Sequence, residues 1–321
     1  MARVTSADVA REAGLSRATV SYVLNADPRQ RIPDATRQRV LDAAARLDYT
    51  PYGPARLLRG AASRTVLLHT PSLQSLAQPV GAAIVETLAD ALTAHGLQLL
   101  WQLGSPAAAV GGDVAPALVL TSLGEHESSF AELAALFRVP VRSIFPGLDA
   151  FQASPARAQV DHLVDRGHRH LAYAASDDPR LERSSTLRRD AMVERALQAG
   201  LPLPRQFAMP VQRESARATL ASVLALHPAV TAVCAYNDRV GMALLAAAAD
   251  LGVAVPGRLA VIGVDDDPVS QLTTPALSSV RAELDGFIDD FAAEIALTVA
   301  DGERGGVRLP ALPAVVARDS T

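Results

Sequence analysis

The sequence contains no lysine and only one cysteine, Cys234, in 321 residues. One thiol cannot close an internal disulfide or build a thiolate metal cluster, so a disulfide scaffold and a Cys-based zinc site are excluded. A phosphate-binding P-loop needs a lysine, so that class of nucleotide site is excluded as well. All 30 basic residues are therefore arginines, which are the better bidentate donors to guanine and phosphate.

Aromatic residues are also scarce, at 4% of the chain, whereas hydrophobic residues make up 49%. The core must therefore consist of Ala, Leu and Val, and the length predicts one large core or roughly two to three domains. No apolar run is long enough to span a bilayer. Asp8, Arg11 and Glu12 interrupt the N-terminal segment, which lacks the apolar stretch of a signal peptide. We therefore expect a cytoplasmic protein with no membrane partner.

Common catalytic motifs are missing, because the sequence has no Gly-x-Ser-x-Gly and no His-Glu-x-x-His. His162, His168 and His170 are close in sequence, but no Cys or Glu lies at ligand spacing, so we expect no metal site. The sequence predicts a protein that is not an enzyme and needs no cofactor.

The charge that is present is unevenly distributed. Residues 1–60 hold ten Arg against six Asp plus Glu, a balance of +4, and the whole chain is −4, so the remainder carries −8. A basic segment on an acidic body is typical of a DNA-binding module fused to another domain, although chance clustering also gives such a balance.

The N-terminal segment predicts two short helices joined by a tight turn. Thr5 and Asp8 form a capping-box pattern, and Gly14 supplies the left-handed residue that ends the first helix. Ser16 is a good N-cap for a second helix over Arg17–Leu24. Two helices with a glycine turn in about 20 residues follow the helix-turn-helix plan.

The second helix has two different faces. Val20 and Leu24 share one face and should pack on the first helix, and a third helix from Pro33-Asp34 should close this core with Val40, Leu41, Ala44 and Leu47. The other face carries groups that can contact base edges and phosphates: Arg17, Ala18, Ser21, Tyr22 and Asn25. The alternative is an amphipathic helical hairpin inside some other kind of domain.

Several stretches resemble the DNA-binding head of the lactose-repressor (LacI/GalR) family. They are DVAREAGLS at 8–16, ATVS at 18–21, VLN at 23–25, TR at 36–37, VL at 40–41, LDYTP at 47–51 and ARLL at 55–58. The resemblance implies a DNA-binding domain over 1–49, a hinge over 50–63 and a core over 64–321. It implies DNA contacts from Thr5, Ser16, Arg17, Ala18, Thr19, Ser21, Tyr22 and Asn25.

The hinge of this family forms a helix on operator DNA. The resemblance implies that Leu58 enters between base pairs in the minor groove and that Arg56 lies beside it against phosphate. Pro54 departs from the family's usual hinge sequence and is tolerable only in a first helical turn, which predicts a hinge one turn shorter.

From Arg64 onward, runs typical of strands and helices alternate. This alternation predicts parallel sheets covered by helices, in an α/β core of two lobes that is similar to the periplasmic-binding-protein-like core of the same family. The predicted strands are 65–69, 97–103, 117–121, 141–145, 170–174, 207–210, 232–235 and 259–264. The predicted helices are 80–95, 125–137, 155–166, 185–199, 214–226 and 240–251.

Ligands of such folds lie outside the carboxyl ends of the strands, where Asn237 and Asp265 fall. The resemblance implies that Arg188 joins them to hold hydroxyl or carboxylate groups of a small effector. A helix cap or a solvated loop is the alternative for Asp265. Residues 104–116 are too short and broken for a crossover helix, and residues 212–215 lack the aromatic side chain that often stacks on a sugar. A sugar site, a site for another metabolite and an unused site all remain open.

These observations together predict a transcriptional regulator, in the form of a repressor. It would bind a pseudo-palindromic double-stranded operator as a homodimer and respond to a small-molecule effector. The alternatives are a soluble solute-binding protein with a vestigial head, and a repressor whose core only dimerises.

Overall fold

The computed structural model describes residues 4–24, 32–47, 49, 63–71, 79–105, 115–123, 128–144, 148–282, 284, 286–302 and 313–321. The head, which comprises the described residues up to Tyr49, and the core, which begins at Arg64, are separate compact units. Each is described by itself. No helix in the described ranges is long and apolar enough to cross a membrane.

The head contains three helices, α1 (Ser6–Ala13), α2 (Arg17–Leu24) and α3 (Asp34–Arg46). The predicted capping box is confirmed, because the Asp8 carboxylate accepts from the N–H and the hydroxyl of Thr5, at 2.9 and 2.7 Å. Gly14 ends α1 with a φ of +64°. The Ser16 hydroxyl accepts from the Thr19 N–H at 3.0 Å and starts α2. Local signals therefore set the two helices and their turn.

The core of the head consists of small apolar side chains from all three helices, among them Val9, Val20, Val23, Val40 and Ala43. The prediction that Leu41 belongs to this core is wrong, since its side chain is 44% exposed. One residue along a helix turns the side chain by about 100°, so Leu41 points away when its neighbour Val40 points inward.

Lobe 1 of the core is built on a four-stranded parallel sheet in the order β2-β1-β3-β4. Its strands are β1 (Thr65–Thr70), β2 (Gln98–Leu103), β3 (Leu118–Thr121) and β4 (Val141–Ser143), and helices α4 (Pro79–Ala94) and α5 (Ser128–Leu136) belong to it.

Lobe 2 is built on a six-stranded sheet in the order β10-β9-β8-β7-β5-β6. Its strands are β5 (Leu171–Ser176), β6 (Arg205–Met209), β7 (Ala232–Ala235), β8 (Ala260–Val264), β9 (Ser278–Arg281) and β10 (Ala314–Val316). Its helices are α6 (Leu148–Asp165), α7 (Glu182–Gln198), α8 (Arg213–Leu226) and α9 (Asp238–Asp250). The prediction of parallel sheets fails at β10, which pairs antiparallel to β9.

A further helix, α10 (Phe287–Asp301), completes lobe 1 and was not predicted. Its Ile288, Phe291 and Ile295 join Val66 and Leu118 in the lobe 1 core. In sequence, α10 lies between β9 and β10, which are both strands of lobe 2. Lobe 1 is therefore not a continuous stretch of chain, contrary to the prediction of two consecutive units.

Helix α6 begins at Leu148 and contains Pro155, whereas the prediction began the helix at Pro155. Proline fits best in a first turn, because inside a helix it removes one backbone hydrogen bond. Here Ala156, Val160 and Leu163 are fully buried in the lobe 2 core. This packing holds the helix in place despite the missing bond.

Candidate nucleic-acid interface and ligand site

Helix α2 exposes polar side chains on one face and buries apolar side chains on the other. Arg17 and Ala18 are exposed and Tyr22 is 38% exposed, while Val20 and Val23 face the core of the head. A cation, a methyl group and a phenol hydroxyl on one face can contact phosphate, a thymine methyl and a base edge. Tertiary packing fixes the direction of this face.

Three of the hydroxyls predicted to contact DNA also hold the helix starts. Thr5 donates to Asp8, and the Ser16 and Thr19 hydroxyls lie 2.9 Å apart. Ser21 is half-buried. The remaining predicted DNA contacts, namely Asn25, Arg56 and Leu58, lie outside the described residues, as does the hinge over 50–62.

Two arginines outside the predicted set fix the geometry of the head. Arg39 on α3 donates from Nη2 to the carbonyl oxygen of Ala13 at 2.8 Å, at the end of α1. Arg46 pairs with Glu12 at 3.1 Å. The partners are 26 and 34 residues apart in sequence, so no local pattern signals them.

In lobe 2 the structure brings Arg188 of α7 to Asp265, which follows β8. Arg188 Nη2 and Asp265 Oδ1 are 3.7 Å apart, with side chains 6% and 10% exposed. Arg188 also donates to the carbonyl oxygen of Tyr236, whose ring centre lies 4.8 Å from the guanidinium carbon. Loss of hydration raises the pKa of Asp265 to about 6, against the opposing effect of Arg188. Asp265 is therefore not part of a solvated loop.

The loop that carries Asp265 has an unusual backbone. Asp265 and Asp266 have φ values of +107° and +52°, a region that residues other than glycine rarely adopt. Successive N–H groups hold the loop: Asp265 donates to the Val280 carbonyl, Asp266 to the Ser279 hydroxyl and Asp267 to the Asp238 carboxylate. Such backbone strain persists only where several neighbouring contacts hold the backbone in that conformation. Strained residues of this kind concentrate at functional sites.

Asp238, at the start of α9, is the buried anchor of this loop. Its two carboxylate oxygens accept from the Ser279 hydroxyl at 2.6 Å and from the Asp267 N–H at 2.7 Å. Burial raises the pKa of Asp238 to about 8. A Cβ at Gly263 would lie 2.0 Å from Asp238 Oδ1, so only glycine fits beside this carboxylate.

Asn237, predicted to contact the effector, is buried and has a local role as well. It is the N-cap of α9, and its side chain accepts from the Val240 N–H at 3.1 Å. On the other side of the loop, Arg318 donates to the Asp266 carboxylate at 2.5 Å and to the Leu277 carbonyl at 2.7 Å. The sequence alone did not reveal these two supports.

Two of the three clustered histidines bond to hydroxyl groups of the chain. His162 bonds to the Thr321 hydroxyl at 2.9 Å and His168 to the Thr231 hydroxyl at 3.0 Å. Across the described residues, no three His, Cys, Asp or Glu side chains are grouped closely enough to hold a metal ion.

Two family models match the chain. One describes bacterial regulatory proteins of the lacI family and matches residues 5–52. The other describes a periplasmic binding protein-like domain and matches residues 160–321.

Whole-length relatives agree with these matches. The chain is 30% identical to the HTH-type transcriptional regulator GntR of Pseudomonas aeruginosa, over 99% of this chain and 96% of that protein. It is 29% identical to GalR of Escherichia coli K12, over 92% of this chain and 89% of the relative. A Lac repressor crystal structure has the same fold, with a TM-score of 0.80 and 22% identity over the full length of both chains.

The architecture is therefore that of a helix-turn-helix head joined to a two-lobed periplasmic-binding-protein-like core. The chain belongs to the lacI family of bacterial regulatory proteins.

Proposed function

We propose that this chain is a transcriptional repressor that binds operator DNA as a homodimer and releases or tightens it in response to a small molecule. The observation that carries the proposal is the exposed face of α2, with Arg17, Ala18 and Tyr22 held on a packed helix. The relatives GntR and GalR are transcriptional regulators by name, which supports a regulator over an enzyme. A protein with genomic DNA as its target works in the cytoplasm.

Dimerisation follows from the size of one head. A single α2 contacts few base pairs, so two heads on a pseudo-palindrome are needed for operator selectivity. A Lac repressor of the same fold was solved as a dimer bound to operator and an anti-inducer. We propose the same assembly here, with a DNA-binding domain over 1–49, a hinge over 50–63 and a core over 64–321. Arg56 and Leu58 of the hinge would contact the minor groove.

The effector would bind at Arg188, Asn237 and Asp265 in lobe 2. This is supported by their burial, by the Arg188–Asp265 pair and by the strained loop beside it. The CelR structure with cellobiose, which has the same fold at a TM-score of 0.66, contains a sugar, but its 24% identity carries no ligand to this chain.

The test is a selection of genomic fragments on full-length protein, followed by titration of the selected operator and of random DNA. Arg17→Ala should weaken operator binding by about tenfold or more while random DNA is affected less, because a base contact is lost. Arg213→Ala is the control, since this exposed arginine pairs with Asp250 in the core and lies outside the head.

Equal losses on operator and random DNA would make Arg17 a phosphate contact. A wild-type protein that selects no fragment would favour the solute-binding alternative. A third outcome is a protein that selects an operator but keeps the same operator affinity in the presence of every metabolite. This outcome would favour a core that only dimerises.

A further inference from the structure

The turn between α1 and α2 begins at a helix end whose carbonyl groups need partners. The last carbonyl groups of a helix have no partner within that helix. The backbone of the turn satisfies two of them, because the Leu15 N–H donates to the Ala10 carbonyl at 3.0 Å and the Gly14 N–H to the Arg11 carbonyl at 3.3 Å. The carbonyl of Ala13, the last residue of α1, is instead bonded by a side chain from another helix.

That side chain is Arg39 of α3. Its Nη2 donates to the Ala13 carbonyl at 2.8 Å in a partly buried position. The same nitrogen would lie 3.5 Å from a Cβ built on Gly14, so the guanidinium lies against the turn as well as the helix end. A guanidinium is always charged, and the C-terminus of a helix carries partial negative charge. The hydrogen bond is therefore charge-assisted, which makes it stronger than a bond between neutral groups.

The turn that Arg39 contacts leads directly into the residues predicted to read bases. Arg17 follows Ala13 by four residues and Ala18 follows it by five. A hydrogen bond from a side chain to a base edge needs a donor–acceptor distance of about 2.7–3.2 Å and a nearly straight angle. A shift of the turn by a fraction of that distance would move Arg17 out of reach of its base.

The rest of the head holds this turn less firmly. The buried side chains of its core are all small: Val9, Ala10, Ala13, Val20, Val23, Val40, Ala43 and Ala44. Small side chains bury little apolar area each, so packing alone stabilises the arrangement of the helices modestly. The other ion pair between α3 and α1 joins Arg46 and Glu12, whose side chains are 58% and 42% exposed, and exposed pairs contribute little. The bond from Arg39 therefore carries much of the polar contact between α3 and the turn.

We propose that Arg39 is a positioning residue for operator recognition, which holds the turn after α1 and thereby directs Arg17 and Ala18 of α2 at the bases. The proposal rests on the proposed function, because operator DNA is the ligand. The competing role for an arginine of the head is direct contact with a DNA phosphate. A positioning residue affects binding to the operator far more than binding to random DNA, whereas a phosphate contact affects both alike.

The first measurement needs no DNA. Arg39→Met keeps the apolar stem of the side chain and removes its N–H donors. Hydrogen exchange of the full-length protein, followed by mass spectrometry, reports how readily the turn opens. The amides of residues 13–18 should exchange about threefold or more faster in the variant, because the Ala13 carbonyl loses its partner. The amides of α3 should exchange as in the wild type.

The second measurement compares two DNA molecules. The operator selected from genomic fragments and random DNA are titrated by fluorescence anisotropy at several salt concentrations. Arg39→Met should lower the ratio of operator affinity to random-DNA affinity by about five- to tenfold, because a base contact is misplaced. The slope of log affinity against log salt should stay the same, whereas loss of one phosphate contact would reduce its magnitude by about 0.9.

Two further variants make the result specific. Arg39→Lys keeps a cation and an N–H donor, so it should restore most of the slow exchange and of the affinity ratio. This variant keeps the test valid if Arg39→Met loosens the whole head. Arg11→Met applies the same substitution to an exposed arginine whose partner, Asp8, lies on its own helix. It should change neither the exchange of residues 13–18 nor the affinity ratio.

The outcomes separate this inference from the function on which it rests. A wild-type protein that selects no operator overturns the proposed function, and the role in recognition falls with it. A selected operator with unchanged exchange of residues 13–18 in Arg39→Met shows that Arg39 does not hold the turn. Faster exchange with an unchanged affinity ratio shows that the turn does not direct recognition. Equal losses on both DNA molecules, with a smaller salt slope, make Arg39 a phosphate contact.

Discussion

Lobe 1 and lobe 2 share a plan of parallel strands with polar groups at the carboxyl ends, but they satisfy those groups differently. In lobe 2 the polar groups pair with one another: Arg188 with Asp265, Asp266 with Arg318, and Asp238 with Ser279. In lobe 1, His69, Gln102 and Ser122 each keep an atom without a partner in the described ranges. Within the described residues, lobe 2 therefore fixes most of these polar groups through its own charged pairs, with Arg188 Nε left without a partner, whereas lobe 1 fixes its three side chains less completely. The variants below test this contrast, from the largest expected effect to the smallest.

Arg188→Ala should break the lobe 2 pairing most severely. The substitution leaves Asp265 buried without its cation, and breaking a buried pair costs about 3–5 kcal/mol of unfolding free energy. Urea unfolding followed by circular dichroism measures the loss. The double variant Arg188→Met/Asp265→Asn is the control and should recover most of it, because no lone charge remains and asparagine tolerates the positive φ at position 265. A double variant as unstable as the single one would show that the pair is not the cause.

Gly263→Ala should be the next largest perturbation. The new Cβ would lie 2.0 Å from Asp238 Oδ1, so the carboxylate must move and its hold on the loop weakens. Overpacking of this kind costs about 1–3 kcal/mol. Gly257→Ala is the matched control, since its Cβ would meet only the Ala254 Cβ at 3.7 Å. Equal unfolding midpoints for the two variants would contradict the tight fit at Gly263.

A serine-to-alanine substitution in each lobe allows the stability effects in the two lobes to be compared directly. Ser279→Ala in lobe 2 removes a hydroxyl that donates to Asp238 and accepts from the Asp266 N–H, and should cost about 1–2 kcal/mol. Ser122→Ala in lobe 1 removes an atom that has no partner among the described residues, so stability should stay the same or rise by up to about 1 kcal/mol. If differential scanning calorimetry gives the same melting temperature for both, the two lobes do not differ as described.

The smallest effect, taken over one pH unit, is the pH dependence contributed by Asp238. Its pKa is raised from 3.8 to about 8 in the folded protein, so the folded state binds the proton more tightly than the unfolded state. The stabilisation is complete below the unfolded pKa and is lost as pH rises through the folded pKa. Between about pH 5 and pH 7, wild type should lose roughly 1 kcal/mol per pH unit relative to Asp238→Asn, which does not titrate. Parallel unfolding midpoints over this range would mean that Asp238 is already ionised.

The sequence predicted those helix boundaries that depend on only a few neighbouring residues. The Thr5–Asp8 box, Gly14 and Ser16 each act within one turn, so they predicted the boundaries of α1 and α2. Most strands of the core were found as well, because buried parallel strands are continuous apolar runs.

Contacts between distant residues could not be predicted in this way. Arg318 and Asp266 are 52 residues apart, and nothing near either one signals the other. His69 has the sequence surroundings of any buried strand, and its contact with the carbonyl oxygen of Gly104 follows only from the fold. The Arg188–Asp265 pair was predicted as two separate contacts to an effector, and its direct pairing became visible only in the fold.

The position of α10 determines the order in which the two lobes can fold during synthesis. Val66, Leu68, Leu118 and Leu120 of lobe 1 pack against Ile288, Phe291 and Ile295. A ribosome that has already released all four strands of lobe 1 must add more than 140 further residues before α10 completes this apolar cluster. Lobe 2 can begin to bury its own strands in the meantime, since β5 to β9 precede α10. The N-terminal half of the core therefore finishes folding late, and the apolar surface that waits for α10 is a stretch of the nascent chain exposed to aggregation.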